Sequence, residues 1–148
     1  MRDYELHRRL GYRVSRLSRL MQARLERGIA PFGLTRLMWC VLTGIGDEGI
    51  SNPSELADYV GITRPATSRL LKDMVGKGLV RRCGGNGDGR TIHLSLSEGG
   101  HDVLRQARIA VDAMNLHFMT KLSPEMTAQL LEAIDTPSAN EHEPLTKL

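Results

Sequence analysis

The chain has 148 residues, 41% hydrophobic, 25% charged and 4% aromatic, with a formal net charge of +3; it suits one domain plus an appendage, with a core of Leu, Ile, Val, Met and Ala. Two cysteines without a CxxC exclude a disulfide framework, and a charged amino terminus does not fit a signal peptide. The longest apolar stretch, around LMWCVLTGI, is far short of the roughly 18 residues of a membrane span, so a cytoplasmic, reducing setting with no membrane partner is expected.

Residues 3–29 read as one long helix. Leu6, Leu10, Val14, Leu17, Met21 and Leu25 step by four and three, arginines fill the other faces, and Gly28 and Pro31 end it. A narrow stripe on so long a helix needs a partner, either a second copy or the chain's own C-terminal helices. A second helix spans about 34–44, with Leu34, Leu37, Met38, Val41 and Leu42 inward and Gly44 and Gly46 as its stop. Asn52 and Pro53 open a short third helix, which Gly61 turns. Thr63 caps a fourth, Pro65 is tolerated in its first turn, and Gly76 or Gly78 closes it.

LVRRC and RTIHLSLS are strand candidates. In the second, Ile92, Leu94 and Leu96 alternate with Thr91, His93 and Ser95. Ser97 caps a long helix at about 98–121, Ser123-Pro124-Glu125 starts a last one to about Asp135, and Thr136 onward reads as a frayed tail. Helix, turn, helix and hairpin in this order make a winged helix-turn-helix in a mostly α, α+β chain. The expected organisation is an N-terminal dimerisation helix at 1–30 and a DNA-binding winged domain at 31–97. C-terminal dimerisation helices at 98–135 and a flexible tail at 136–148 follow.

Charge is uneven along this frame. Residues 64–90 hold seven Lys/Arg against two Asp/Glu, whereas residues 91–148 hold four against eight. A basic patch beside an acidic tail is one footprint of a polyanion partner, although a solvated helix gives a similar pattern. On the fourth helix Leu70, Leu71 and Met74 share one face, with Ala66 and Thr67 at its edges. Pro65, Ser68, Arg69, Lys72 and Gly76 lie opposite, with Arg64 at the rim.

A helix entering a major groove needs short side chains for close approach, hydroxyls, and Arg or Lys for guanine edges or phosphates. The candidate contacts to double-stranded DNA are Thr63, Arg64, Pro65, Thr67, Ser68, Arg69 and Lys72, joined by Arg90 from the hairpin and by Asp88, which would orient it. One such module reads too few base pairs for useful specificity, so a homodimer is expected. Its contacts are Leu6, Leu10, Val14 and Leu17 with Met114 and Phe118 of the long late helix.

No convergent acid–base set and no phosphate loop indicate an enzyme. His7, His93, His101, His117 and His142 are scattered, so no metal or other cofactor is expected. Cys83 follows Arg81 and Arg82, where a thiol would react, whereas Cys40 sits on an apolar helix. A thiol-based redox regulator is therefore one alternative, and a winged helix used only for protein contact is another. A small effector would sit between the dimer helices and the winged domain, with His7, Arg13, Arg16, Met38 and Trp39 conceivable in its lining.

GLTRLMWCVL, NPSELADYVGITRPATSRLLKDMVGKGLVRR and DGRTIHLSLSEGG together resemble the MarR family of bacterial transcription regulators, over about residues 5–135. The resemblance implies a homodimeric repressor with interleaved terminal helices and two winged domains on a pseudo-palindromic operator. Release by a small ligand, often an aromatic acid, or by thiol oxidation is implied too. By position, the recognition helix is Thr63–Gly76, the wing's Asp-x-Arg is Asp88 and Arg90, and LSEGG matches the motif that closes the wing. The wing departs from the family pattern in its extra glycines and in having one arginine where two are often found.

Overall fold

A computed structural model describes residues 5–85 and 91–142. Its helices are α1 (Leu10–Ile29), α2 (Arg36–Gly46), α3 (Pro53–Val60), α4 (Arg64–Gly76), α5 (Glu98–Met119) and α6 (Pro124–Ser138), with strands β1 (Val80–Cys83) and β2 (His93–Leu96) between α4 and α5. The strands pair antiparallel, Val80 opposite Leu96 and Cys83 opposite His93. This is the mostly helical winged helix-turn-helix expected.

Local side-chain chemistry starts most of the elements. Thr35, Asn52, Thr63, Ser97 and Ser123 each accept a hydrogen bond from a backbone N–H in the first turn of the helix that follows, satisfying donors that would otherwise be orphaned. Gly61, in the left-handed region at φ 80°, ends α3 and turns the chain toward α4.

Ile29, Val41, Leu42, Leu56, Leu71, Met74 and Leu94 form the heart of one core, drawn from α1, α2, α3, α4 and β2. The carboxy-terminal part of α1 lies along α5, with Leu25 and Ile29 buried. Arg108 of α5 pairs with Asp47 just after α2.

Three expectations about elements are corrected. The first helix is not continuous over 3–29: Leu6–Arg8 form a short 3-10 turn, Arg9 is extended, and only then does α1 begin. The Arg9 side chain does not cap α1, and Leu6 and Leu10 are exposed, so the leucine stripe does not carry helix across Arg9. Residues 3 and 4 lie outside the described residues.

Gly44 does not stop α2 but lies within it, and Gly46 is its last residue. A Cβ at Gly44 would stand 2.9 Å from Leu56 Cδ1 and from Tyr59 Cδ1; this glycine lets α3 approach rather than ending a helix. The last helix runs past Asp135 to Ser138, with Pro137 inside its final turn. Thr136 and Ser138 hydroxyls donate to the carbonyls of Glu132 and Ile134, both at 2.8 Å. The start of the supposed tail is thus helical, while residues 143–148 lie outside the described residues.

No single helix among the described residues is long and apolar enough to cross a membrane.

Candidate nucleic-acid interface

α4 owes its position to its two ends and its buried face. Thr63 Oγ1 accepts from Ala66 N–H at 3.3 Å, and Thr67, Leu71 and Met74 turn inward. Arg64, Pro65, Ser68, Arg69 and Lys72 are therefore left exposed together.

Electrostatics favour that face for an anion. Asp73, the sole acid of α4, already sits 3.4 Å from Lys77. No ion pair engages Arg64, Arg69 or Lys72 among the described residues. Among the described residues their charge is uncompensated, which suits side chains that meet phosphates or guanine edges.

Thr67 leaves the contact set. It is only 1% exposed and its hydroxyl donates to Thr63 O at 3.0 Å. At the edge of a helical wheel, a residue's side depends on what packs beside it, and here the core has taken it. Asp88 and Arg90 lie outside the described residues.

The fold adds two neighbours that helix periodicity does not pick out. Arg82 of β1 and Ser54 in the first turn of α3 border a cleft of about 60 Å³ with Pro53, Arg64, Ser68 and Leu71. The basic surface thus continues from α4 onto β1, beside the amino-terminal end of α3, whose first-turn N–H groups of Ser54 and Glu55 are already capped by Asn52. The sequence signal for Arg82 is the Arg81-Arg82 doublet. Ser54 gives no signal before the fold is known.

The residues named for an effector separate into two groups. His7, Arg13 and Arg16 come together with Tyr12, Leu17 and Leu20 around an open cleft of about 510 Å³ on α1. Arg13 Nε donates to His7 O at 2.9 Å, and the His7 ring meets Tyr12 edge-on at 4.7 Å. Met38 is instead buried in the core and Trp39 packs half-buried against it. Of the thiols, Cys83 is exposed and Cys40 half-buried. Burial pushes the Cys40 thiol up, against the lowering influence of Arg36 and of a backbone hydrogen bond, which suits a packing role.

The dimer candidates divide in the same way. Leu6, Leu10, Val14 and Leu17 are exposed in the protomer, whereas Met114 packs half-buried against the core and Phe118 is half-buried.

A winged hairpin beside a helix whose cationic face has no ion-pair partner among the described residues is the architecture of an HTH-type transcription regulator, and the comparisons show that class. The MarR family profile matches residues 32–91. Over 108 residues the chain is 32% identical to an uncharacterized HTH-type transcriptional regulator of Mycobacterium bovis, covering 73% of each chain. The fold is that of a mutant MarR from E. coli complexed with operator DNA, with TM-score 0.77 and 23% identity over 86% of this chain and 91% of that one. It is likewise that of CouR from Rhodococcus jostii bound to p-coumaroyl-CoA, with TM-score 0.81 and 19% identity over 93% and 97%. The chain belongs to the MarR family, which is one of transcription regulators and not of enzymes.

Proposed function

We propose that this regulator is a homodimeric, cytoplasmic repressor that reads a pseudo-palindromic operator. The observation that carries the reading is the exposed face of α4, where Arg64, Arg69 and Lys72 have no carboxylate partner among the described residues. In this reading Arg64, Pro65, Ser68 and Arg69 lie near base edges, and Thr63 and Lys72 near phosphates. Ser54 and Arg82 extend the phosphate contact, and Asp88 and Arg90 act from the wing.

Dimerisation follows from apolar surface that a lone protomer leaves in water. Leu6, Leu10, Val14 and Leu17 on the amino-terminal side, and Met126, Leu130, Leu131 and Ile134 on α6, are all exposed. A small aromatic acid would act as the releasing effector. The relative CouR is bound to p-coumaroyl-CoA, and the cleft beside α1 offers ring walls from His7 and Tyr12 with cations from Arg13 and Arg16.

Selection of bound sites from random duplexes, followed by titration of salt and then of aromatic acids, tests the reading. Recovery of an inverted repeat, bound with an affinity that falls steeply as salt rises, is expected. No binding to duplex DNA even at low ionic strength would leave the chain a protein-contact module. Release by peroxide and recovery with reductant, in place of release by aromatic acids, would favour thiol sensing.

A further inference from the structure

Where α1 crosses α5 the two helices come close. A Cβ at Gly28 would stand 3.4 Å from Ala110 Cβ, so small residues let the backbones approach. Arg24, Arg27 and Gly28 of α1, with Ala110, Ala113 and Met114 of α5, line a cleft of about 430 Å³ at this crossing. It shares no residue with the cleft around His7, Arg13 and Arg16.

Arg24 and Arg27 stand one turn apart on the same side of α1, so both guanidiniums border one space. Neither has a hydrogen-bond or ion-pair partner among the described residues. No Asp or Glu among the described residues lines the cleft.

More positive charge gathers past Met114. His117 lies one turn further along α5, and its imidazole titrates below the usual range, first through desolvation and then through the charges of Arg24 and Lys121. Lys121 Nζ stands 5.5 Å from the centroid of the Phe118 ring, which His117 meets edge-on at 5.0 Å. Cations gathered from two elements repel one another, and an anion among them turns that repulsion into attraction.

The donor geometry selects among anions. One carboxylate offers two oxygens and a single charge, which suits one guanidinium fork. Two forks one turn apart match the three oxygens and the near-double charge of a phosphate monoester. Ala110, Ala113 and Met114 beside them offer a carbon surface to the ester's organic group.

We propose that the cleft between α1 and α5 is a further ligand site, which takes a small phosphate monoester with an apolar or aromatic body between Arg24 and Arg27. The site is independent of the DNA-binding and effector readings, and no duplex enters its test.

Phenyl phosphate is the probe, added to the full chain at neutral pH and followed by calorimetry and by the assigned imidazole resonances of His117. An anion nearby favours the imidazolium, so those resonances should move toward the charged form as the cleft fills. Arg24→Gln and Arg27→Gln should each weaken binding by about tenfold or more, the worth of a charge-assisted hydrogen bond. Arg27→Lys, which keeps the charge without the fork, should lose less. Benzoate and diphenyl phosphate, each with one charge, should bind about tenfold or more weakly than the monoester. Arg16→Gln should change nothing. A His117 signal that stays still in the unaltered chain would overturn the site. So would full binding with both arginines changed to Gln, a loss in Arg16→Gln, or benzoate or the diester binding as tightly as phenyl phosphate.

Discussion

In the winged lobe α2, α3, α4 and β2 each turn an apolar face into one closed core, where Val41, Leu42, Leu56, Leu71, Met74 and Leu94 are almost wholly buried. In the flanking helices an equally regular pattern ends in water. On α1 only Leu25 and Ile29 are buried, Leu10 is 69% exposed, and α6 has no buried residue at all. Periodicity says that a face is apolar but not what will cover it. The lobe covers itself, whereas the flanking helices leave apolar surface that no described residue covers.

The largest expected effect breaks that difference directly. Leu10→Glu with Val14→Glu places charges on the exposed stripe of α1. Each apolar side chain buried at an interface contributes about 1.5–3 kcal/mol, so a dimer built on this stripe should lose about 3–6 kcal/mol per protomer and sediment as a monomer. The lobe should stay folded by circular dichroism. A dimer that survives both substitutions would mean that the stripe faces nothing.

Next is a test of how tightly the lobe closes. Ser97 caps α5 and also donates to the carbonyls of Gly78 and Leu79. This brings α5 so close that a Cβ at Gly100 would stand 2.1 Å from Leu79 O. Backbone cannot yield as a side-chain tip can, so Gly100→Ala should cost about 1–3 kcal/mol or more through overpacking, read as a lower denaturation midpoint. A neutral result would mean that α5 can slide away from the strand.

A smaller effect separates the two kinds of contact on α4. Arg69→Ala should weaken specific binding by about 1–3 kcal/mol and relax the preference at one base pair. Lys72→Ala should weaken binding to all sequences alike and flatten the salt slope by about one. A salt slope flattened by Arg69→Ala and untouched by Lys72→Ala would reverse the assignment of base and phosphate.

What was legible in the sequence was mostly local. Asn52, Thr63, Ser97 and Ser123 announce helix starts because a cap acts within three residues. The cationic face of α4 is legible because a helix repeats regularly. Non-local packing was not: Gly44 reads as a breaker until α3 is seen against it, and Arg82 joins the surface only once β1 lies beside α4. The break at Arg9 hides behind a regular leucine stripe, because periodicity registers which side chains are apolar and not the extended backbone between them. Arg24 and Arg27 meet Ala110 and Met114 through a helix crossing that no short motif encodes.

Thr67 carries the finest form of the comparison, since it sits where the interface face of α4 meets the core. Its hydroxyl donates to Thr63 O, which also accepts Thr67 N–H at 2.9 Å. Thr67→Val keeps shape and β-branching and leaves that carbonyl satisfied. The hydroxyl's own bond is lost, at about 0.5–1.5 kcal/mol, partly offset because the group no longer has to be desolvated. Operator affinity should stay within about twofold, ~0.4 kcal/mol, while the unfolding midpoint moves slightly. A tenfold loss of operator affinity with the midpoint unchanged would place Thr67 on the DNA side of the helix. The boundary between core and interface on α4 would then lie one residue further inward than its burial puts it.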